Sequence, residues 1–166
     1  YGLDYFTIVG EDFMADEERV KIFCNELSEA GMHKRIRWQC QGTPKIADDN
    51  LLRRMKEAGC SYIDYDLVSN SPRVLQRYDM QQIHNQHAFE ATNRQQVTFT
   101  VHFNIGWPAE TLDDMMETAK FCYRNKIACD ARLQTPQLGS QAYLDHVSCC
   151  IRKQHPKDTW LHDYLT

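Results

Sequence analysis

The feature that most constrains this chain is an alternation of short apolar runs with longer amphipathic ones, recurring at roughly thirty residues. The short runs lie at 5–9, 36–41, 62–68, 97–105 and 127–135, and several are rich in β-branched or aromatic residues that suit a pleated strand. Between them the apolar period changes to that of a helix. Val20, Phe23, Cys24 and Leu27 follow Glu17 and Glu18 at helical spacing, and Gly31 supplies a stop. A second helix starts near Asp48, buries Leu51, Leu52 and Met55, and ends at Gly59. A third begins at Pro72, turns Val74 and Leu75 inward, breaks near Tyr78 and resumes through Ile83 to Ala91. A fourth begins near Thr111 with Asp114 placed for capping, and carries Leu112, Met115, Met116, Ala119 and Cys122 on one face. Such alternation implies an α/β fold with a parallel sheet and right-handed crossovers. An open doubly wound sheet and a (β/α) barrel both satisfy it, and periodicity does not choose between them. Five units are too few for a complete eight-stranded barrel.

The 166 residues fit one domain, with the alternation in 1–144 and a polar, partly helical extension in 145–166. A formal net charge of -4 argues against a nucleic-acid or anionic-membrane surface, which needs a basic excess. The short cluster His33-Lys34-Arg35-Ile36-Arg37 reads as a solvated helix-to-strand turn. No run approaches the roughly 20 apolar residues that span a bilayer, and the first residues do not resemble a signal peptide. The chain lacks an initiator Met and enters directly on a strand-like run, so a piece of a longer protein is expected. Seven cysteines, an odd number, fall mostly inside helix or strand patterns. They read as reduced, buried thiols in a cytoplasmic setting rather than as a disulfide framework.

In parallel α/β folds, ligands bind where strands end and loops lead into helices. Those ends read Val9-Gly10-Glu11-Asp12-Phe13, Cys40-Gln41-Gly42-Thr43-Pro44, Asp66-Leu67-Val68-Ser69-Asn70-Ser71-Pro72, Asn104-Ile105-Gly106-Trp107-Pro108-Ala109-Glu110-Thr111 and Gln134-Thr135-Pro136-Gln137-Leu138-Gly139-Ser140. Adjacent carboxylates such as Glu11 and Asp12 can receive an ammonium group, or can simply favour the start of a helix. Gly106 before Trp107-Pro108 lets a flat ring lie against the turn, or only turns the chain. Ser69, Asn70 and Ser71 can bind hydroxyls or cap the helix at Pro72.

Taken in order, these segments resemble the radical S-adenosylmethionine (SAM) superfamily, in particular the group with cobalamin-binding and anaerobic cyclase-like members. The resemblance covers about residues 3–143. Val-Gly-Glu-Asp-Phe is similar to that family's second-strand acidic motif. Leu-Leu-Arg-Arg-Met-Lys-Glu-Ala-Gly-Cys (51–60) is similar to its helix before strand four, and Asn-Ser-Pro-Arg-Val-Leu (70–75) to the segment after that strand. Phe-Asn-Ile-Gly-Trp-Pro-Ala-Glu-Thr (103–111) resembles its Gly-x-Pro-Gly-Glu-Thr turn, and Thr-Pro-Gln-Leu-Gly-Ser-Gln-Ala-Tyr (135–143) its Thr-Pro-x-Pro-Gly-Thr-x-x-Tyr run.

The resemblance implies a partial (β/α) barrel of radical SAM type, with about five parallel strands and outer helices. It implies SAM as cofactor and a small-molecule substrate. A [4Fe–4S] cluster in the parent protein, held by a Cys-x3-Cys-x2-Cys loop, would cleave SAM to a 5′-deoxyadenosyl radical, and the group leaves room for a parental cobalamin. By the same analogy Glu11 and Asp12 contact the SAM amino group, Ser69 lies near the ribose, and Ile105, Gly106 and Trp107 lie beside the adenine. Gln41 and Gln134 are further cavity-facing candidates.

Four departures accompany the likeness. The chain opens at what would be the second strand, so no cluster loop is expected in it. Val68 stands where the family has the glutamate of Gly-x-Glu-Ser, Thr43-Pro44-Lys45 stands at the frequent Arg-x-Asp, and Ala109 replaces a glycine. A degenerate domain that binds without catalysing is therefore the alternative. An incomplete barrel also exposes strand edges, so self-association or coverage of the open side by 145–166 is expected.

Other residues read more plainly. His84, His87 and His102 lack a third ligand at a recognisable spacing and are taken as surface helix histidines. Adjacent Cys149 and Cys150 have poor geometry for one metal or a simple disulfide, and Trp38 and Trp160 are packing residues.

Overall fold

The fold follows from local signals that recur five times along the chain. The computed structural model describes residues 2–10, 12–80 and 85–153. Five strands, β1 (Tyr5–Ile8), β2 (Arg37–Gly42), β3 (Cys60–Val68), β4 (Thr98–Ile105) and β5 (Cys129–Leu133), alternate with helices. The helices are α1 (Glu17–Glu29), α2 (Asp49–Glu57), α3 (Pro72–Arg77), α4 (Asn85–Arg94), α5 (Leu112–Arg124) and α6 (Gln141–Lys153).

Each helix start has a chemical cause. Asp16 accepts hydrogen bonds from the Glu18 and Arg19 N–H groups at the head of α1, and Asp48 from Leu51 N–H at 2.7 Å at the head of α2. Ser71 caps α3, with Pro72 in the first turn. Thr111 and Asp114 form a reciprocal capping box at α5. Helix α3 ends at Arg77, as the break near Tyr78 requires; residues 81–84 lie outside the described part.

All four strand pairings are parallel, and the sheet order is β1-β2-β3-β4-β5. This order decides between the two closures left open by periodicity. A doubly wound sheet reverses its strand order at a switch point. Here every crossover steps in the same direction, and right-handed crossovers of that kind send the helices to one face. The sheet is therefore the singly wound wall of a barrel, with β1 and β5 as open edges. Among the described residues nothing pairs beyond either edge, and β5 is exposed along its length.

The two faces of the wall differ. Beneath the helices lie Trp38, Cys40, Ile63, Tyr65, Val101 and Phe103 in one core with Val20, Cys24, Leu51, Leu52 and Met55. Trp38 is fully buried, donates from Nε1 to the Ala58 carbonyl at 3.0 Å, and meets Phe13 and Phe23 edge-on. Gly42 is required where Met14 crosses the end of β2, because a Cβ there would sit 2.7 Å from Met14 Cγ. The opposite face is polar across the sheet. The register pairs Thr7 with Gln39, Gln39 with Tyr62, Gln41 with Asp64, Asp64 with Thr100, Asp66 with His102, His102 with Asp130, and Asn104 with Arg132.

Two expectations need correction. Leu112 is 71% and Met116 42% exposed, so they do not share the buried face of α5. That face instead carries Asp114, Thr118 and Cys122, because Asp114 and Thr118 turn toward the serines that follow β3. His102 is not a helix surface residue; it lies on β4 and is 8% exposed. Helix α6 meets α3 through an Arg77–Asp145 ion pair at 2.7 Å. Residues 154–166, with Trp160, lie outside the described part, as does His84.

Candidate functional site

Parallel strands bring their carboxyl ends to one rim, so the five loops singled out in the sequence gather together. Their backbones are held by side chains that reach between neighbouring loops. Asp12 Oδ1 accepts from Met14 N–H at 3.0 Å and from Thr43 N–H at 3.1 Å, and Oδ2 from the Thr43 hydroxyl at 2.9 Å. Asp12 thus stitches the loop after β1 to the loop after β2. Glu11 lies outside the described residues.

The loop after β3 starts from an irregularity. The β3–β4 register shifts between Asp66 and Val68, and Val68 takes φ +59°, an uncommon conformation for a β-branched residue. The Asp66 carboxylate steadies it by accepting from Val68 N–H at 3.3 Å. Ser69 is 1% exposed; its hydroxyl lies 3.4 Å from that of Thr118 and accepts from Ser71 N–H at 3.1 Å. Ser71 donates to Asp114 at 2.7 Å, and Arg73 pairs with the same carboxylate while donating to the Ala109 carbonyl at 2.8 Å. Asp114 therefore ties the loop after β3 to the loop after β4. Arg73 foremost holds its carboxyl well below the usual range.

In the loop after β4, Gly106 takes φ +87°, which favours glycine. The Glu110 carboxylate accepts from Gly106 N–H at 2.6 Å and Trp107 N–H at 3.1 Å. Burial raises the Glu110 pKa, and those two donors oppose the rise. Trp107 turns away from the rim surface into a small cluster with Val74 and Ala142, its ring 4.8 Å from that of Tyr78. Its buried Nε1 has no hydrogen-bond partner among the described residues. Gln134 N–H donates to the Ile105 carbonyl at 2.8 Å, which carries the β4–β5 pairing one step past the strand.

Ile105, Gly106 and Gln134 thus come together at the ends of β4 and β5, Gln41 lies on β2 beside Asp64 of β3, and Asp12, Ser69 and Trp107 have side chains committed to holding loops and packing. A Cβ built on Gly106 would meet only Leu133 Cδ2, at 3.5 Å, so the space above this turn is open to a flat group. A metal cluster does not fit: among the described residues no three His, Cys, Asp or Glu side chains converge on one point.

A second group lies on the polar face. His102 Nε2 lies 2.6 Å from Asp64 Oδ1, and its Nδ1 lies 3.4 Å from Asp130 Oδ2 without a hydrogen bond. Alternation along β3 (Tyr62, Asp64, Asp66) and β4 (Thr100, His102, Asn104) carried the signal.

No family model matches the chain. It is 24% identical over 148 residues to an uncharacterized methyltransferase of Pyrococcus horikoshii, covering 86% of this chain and 31% of that relative. It superposes on the radical SAM methyltransferase TsrM from Kitasatospora setae, solved with cobalamin and a [4Fe–4S] cluster, with a TM-score of 0.72 and 12% identity. That match covers 78% of this chain and 27% of TsrM. The cobalamin-dependent radical SAM enzyme OxsB, solved with aqua-cobalamin and SAM, superposes with a TM-score of 0.62 and 15% identity over 92% of this chain and 23% of OxsB. The chain spans less than a third of each of these proteins. No helix among the described residues is long and apolar enough to cross a membrane. Sequential parallel strands, helices on one face and these superpositions together show that the chain has the radical SAM barrel fold.

Proposed function

We propose that this chain is the SAM-binding wall of a radical SAM enzyme acting on a small molecule, completed by parts of the parent protein that carry the [4Fe–4S] cluster. The observation that carries the proposal is the joining of an open rim at Ile105, Gly106 and Gln134 to a polar sheet face below it. The turn at Gly106 would receive the adenine, and the amides of Gln41 and Gln134 would meet the polar parts of the nucleoside. Glu11 would approach the methionyl ammonium. The parental cluster, when bound, would supply the electron that cleaves the sulfonium, and a cobalamin of the parent would suit a methyl-transfer variant. This chain's own contribution is to bind and orient SAM and to keep a hydrogen-bonding surface beneath it. The open edges of β1 and β5 would favour self-association when no other strand covers them.

One set of observations favours a second reading, a degenerate domain that binds without catalysing. Val68 puts an apolar side chain where the family's glutamate would accept a hydrogen bond, and Ser69 is buried. Calorimetric titration of the chain with SAM separates the two. Weak, saturable heat that is lost on Gly106→Val supports the SAM-binding wall. No heat above dilution assigns the degenerate reading.

A further inference from the structure

Two thiols meet where α5 hands the chain over to β5. Cys122 lies on α5 and is fully buried, whereas Cys129 opens β5 and is exposed. The turn between them is pinned at Cys122 itself, whose carbonyl accepts from Ile127 N–H at 3.0 Å. The strand register sets the direction of the Cys129 side chain. Cys129 stands opposite Val101, which is fully buried beneath the helices, while the next residue, Asp130, faces His102 on the polar side. Residues paired in register share a face of the sheet, so Cys129 projects into the layer that holds α5. Burial first, then the charge and hydrogen bond of Cys129, push the Cys122 thiol up, as direct neighbours do.

This pair differs from the other described thiols. Cys24, Cys40 and Cys60 are also neighbours, but each is only 1–2% exposed, so an oxidant does not reach them in the folded chain. Forming a disulfide takes one accessible sulfur to meet the oxidant and a second sulfur close by to complete the bond. Cys129 supplies the first and Cys122 the second.

We infer that Cys129 is a thiol–disulfide modification site, with Cys122 as its resolving partner and a small-molecule disulfide as the oxidant. The Cys129 thiolate attacks that disulfide, its S–S bond breaks, a mixed disulfide forms on Cys129 and one thiolate leaves. The Cys122 sulfur then attacks the Cys129 sulfur and displaces the second thiolate, which takes up the Cys122 proton. Two protein thiols are thereby oxidised to one disulfide, and the small disulfide is reduced to two thiols. Capping Cys129 in the first step removes the charge that opposed ionisation of Cys122, which favours the second. The product ties β5 to α5. That strand pairs on one side only among the described residues and leads into Gln134 of the rim.

The test is equilibration of the full chain with mixtures of oxidised and reduced glutathione, followed by acid quenching, alkylation and peptide mapping. The expected product is a Cys122–Cys129 disulfide with little glutathione retained on Cys129. The ratio of linked to glutathionylated Cys129 should exceed that in denaturing urea by about tenfold, because the fold holds the two sulfurs together. Cys122→Ser should leave glutathione on Cys129. Cys129→Ser, a change on an exposed strand, should leave Cys122 unmodified, and it decides the matter if the buried substitution disturbs folding. A Cys129 that stays reduced or keeps its glutathione in the wild-type chain at every mixture would overturn the assignment. So would a linked ratio no higher in the native chain than in urea, a Cys129 disulfide to any other cysteine, or glutathione on Cys122 of Cys129→Ser.

Discussion

Replacing Asp114 by alanine removes the carboxylate that joins the loops after β3 and β4, and the size of the effect can be worked from its partners. The Ser71 hydroxyl, fully buried, loses its acceptor at 2.7 Å. Leaving such a group unsatisfied costs about 2 kcal/mol. The capping box at α5 loses its return bond to Thr111 N–H at 2.8 Å, worth about 1 kcal/mol. The half-exposed Arg73 adds little, because solvent screens it. The sum is about 3 kcal/mol of destabilisation for Asp114→Ala. With a urea slope of about 2 kcal/mol/M for a chain of this size, the midpoint should fall by about 1.5 M. Asp114→Asn keeps an acceptor for Ser71 and should lose about 1 kcal/mol. Urea titration monitored by tryptophan fluorescence measures both variants. A midpoint shift under about 0.3 M for Asp114→Ala would refute the view that this carboxylate holds the rim together.

Ala109 takes φ +66°, so Ala109→Gly should raise stability by about 0.5–1 kcal/mol, read as a higher Tm; a lower Tm contradicts the strain. Burial pushes the Cys24 and Cys122 thiols up to about 12, whereas Cys129 and Cys149 are exposed. Alkylation of the native chain followed by peptide mapping should therefore label Cys129 and Cys149 and spare Cys24 and Cys122; early labelling of Cys24 would contradict the packing of α1. Hydrogen bonds from Arg94 and then Gln95 hold the Asp49 carboxyl down to about 2, and Asp114 is depressed likewise by Arg73. Because both folded values are lowered, their stabilisation is full above the unfolded value of about 4 and is lost as pH falls below it, down to about 2 for Asp49 and further for Asp114. The wild-type urea midpoint should drop across that window more steeply than that of Asp49→Asn/Asp114→Asn; parallel curves would contradict it.

What could be read from the chain was what is written locally. Ser71 before Pro72, and Thr111 three residues ahead of Asp114, announce helix starts because a cap is satisfied within one turn. The rim loops were likewise legible as strand ends. Strand order was not, since which strands pair depends on contacts far apart in sequence, and periodicity is identical in open and singly wound sheets. Leu112 and Met116 misled because apolar spacing states which residues share a face, not that the face is covered. The contact of the Ser69 hydroxyl with Thr118 on α5 spans 49 residues, so the loop alone does not announce it. The burial of His102 on a strand was not legible, because its contact with Asp64 spans 38 residues. The alternating polar residues of β3 and β4 mark a hydrogen-bonding face as clearly as their apolar neighbours mark a core.

The most direct measurement is the map of amide shifts when the isotopically labelled chain is titrated with SAM. Saturable shifts clustered at Gln41, Ile105, Gly106 and Gln134, with the opposite ends of the strands near Gly59 and Gln96 unmoved, are the predicted result. A chain whose rim amides stay still at saturating SAM, or whose shifts gather at the opposite end of the barrel wall, contradicts the account.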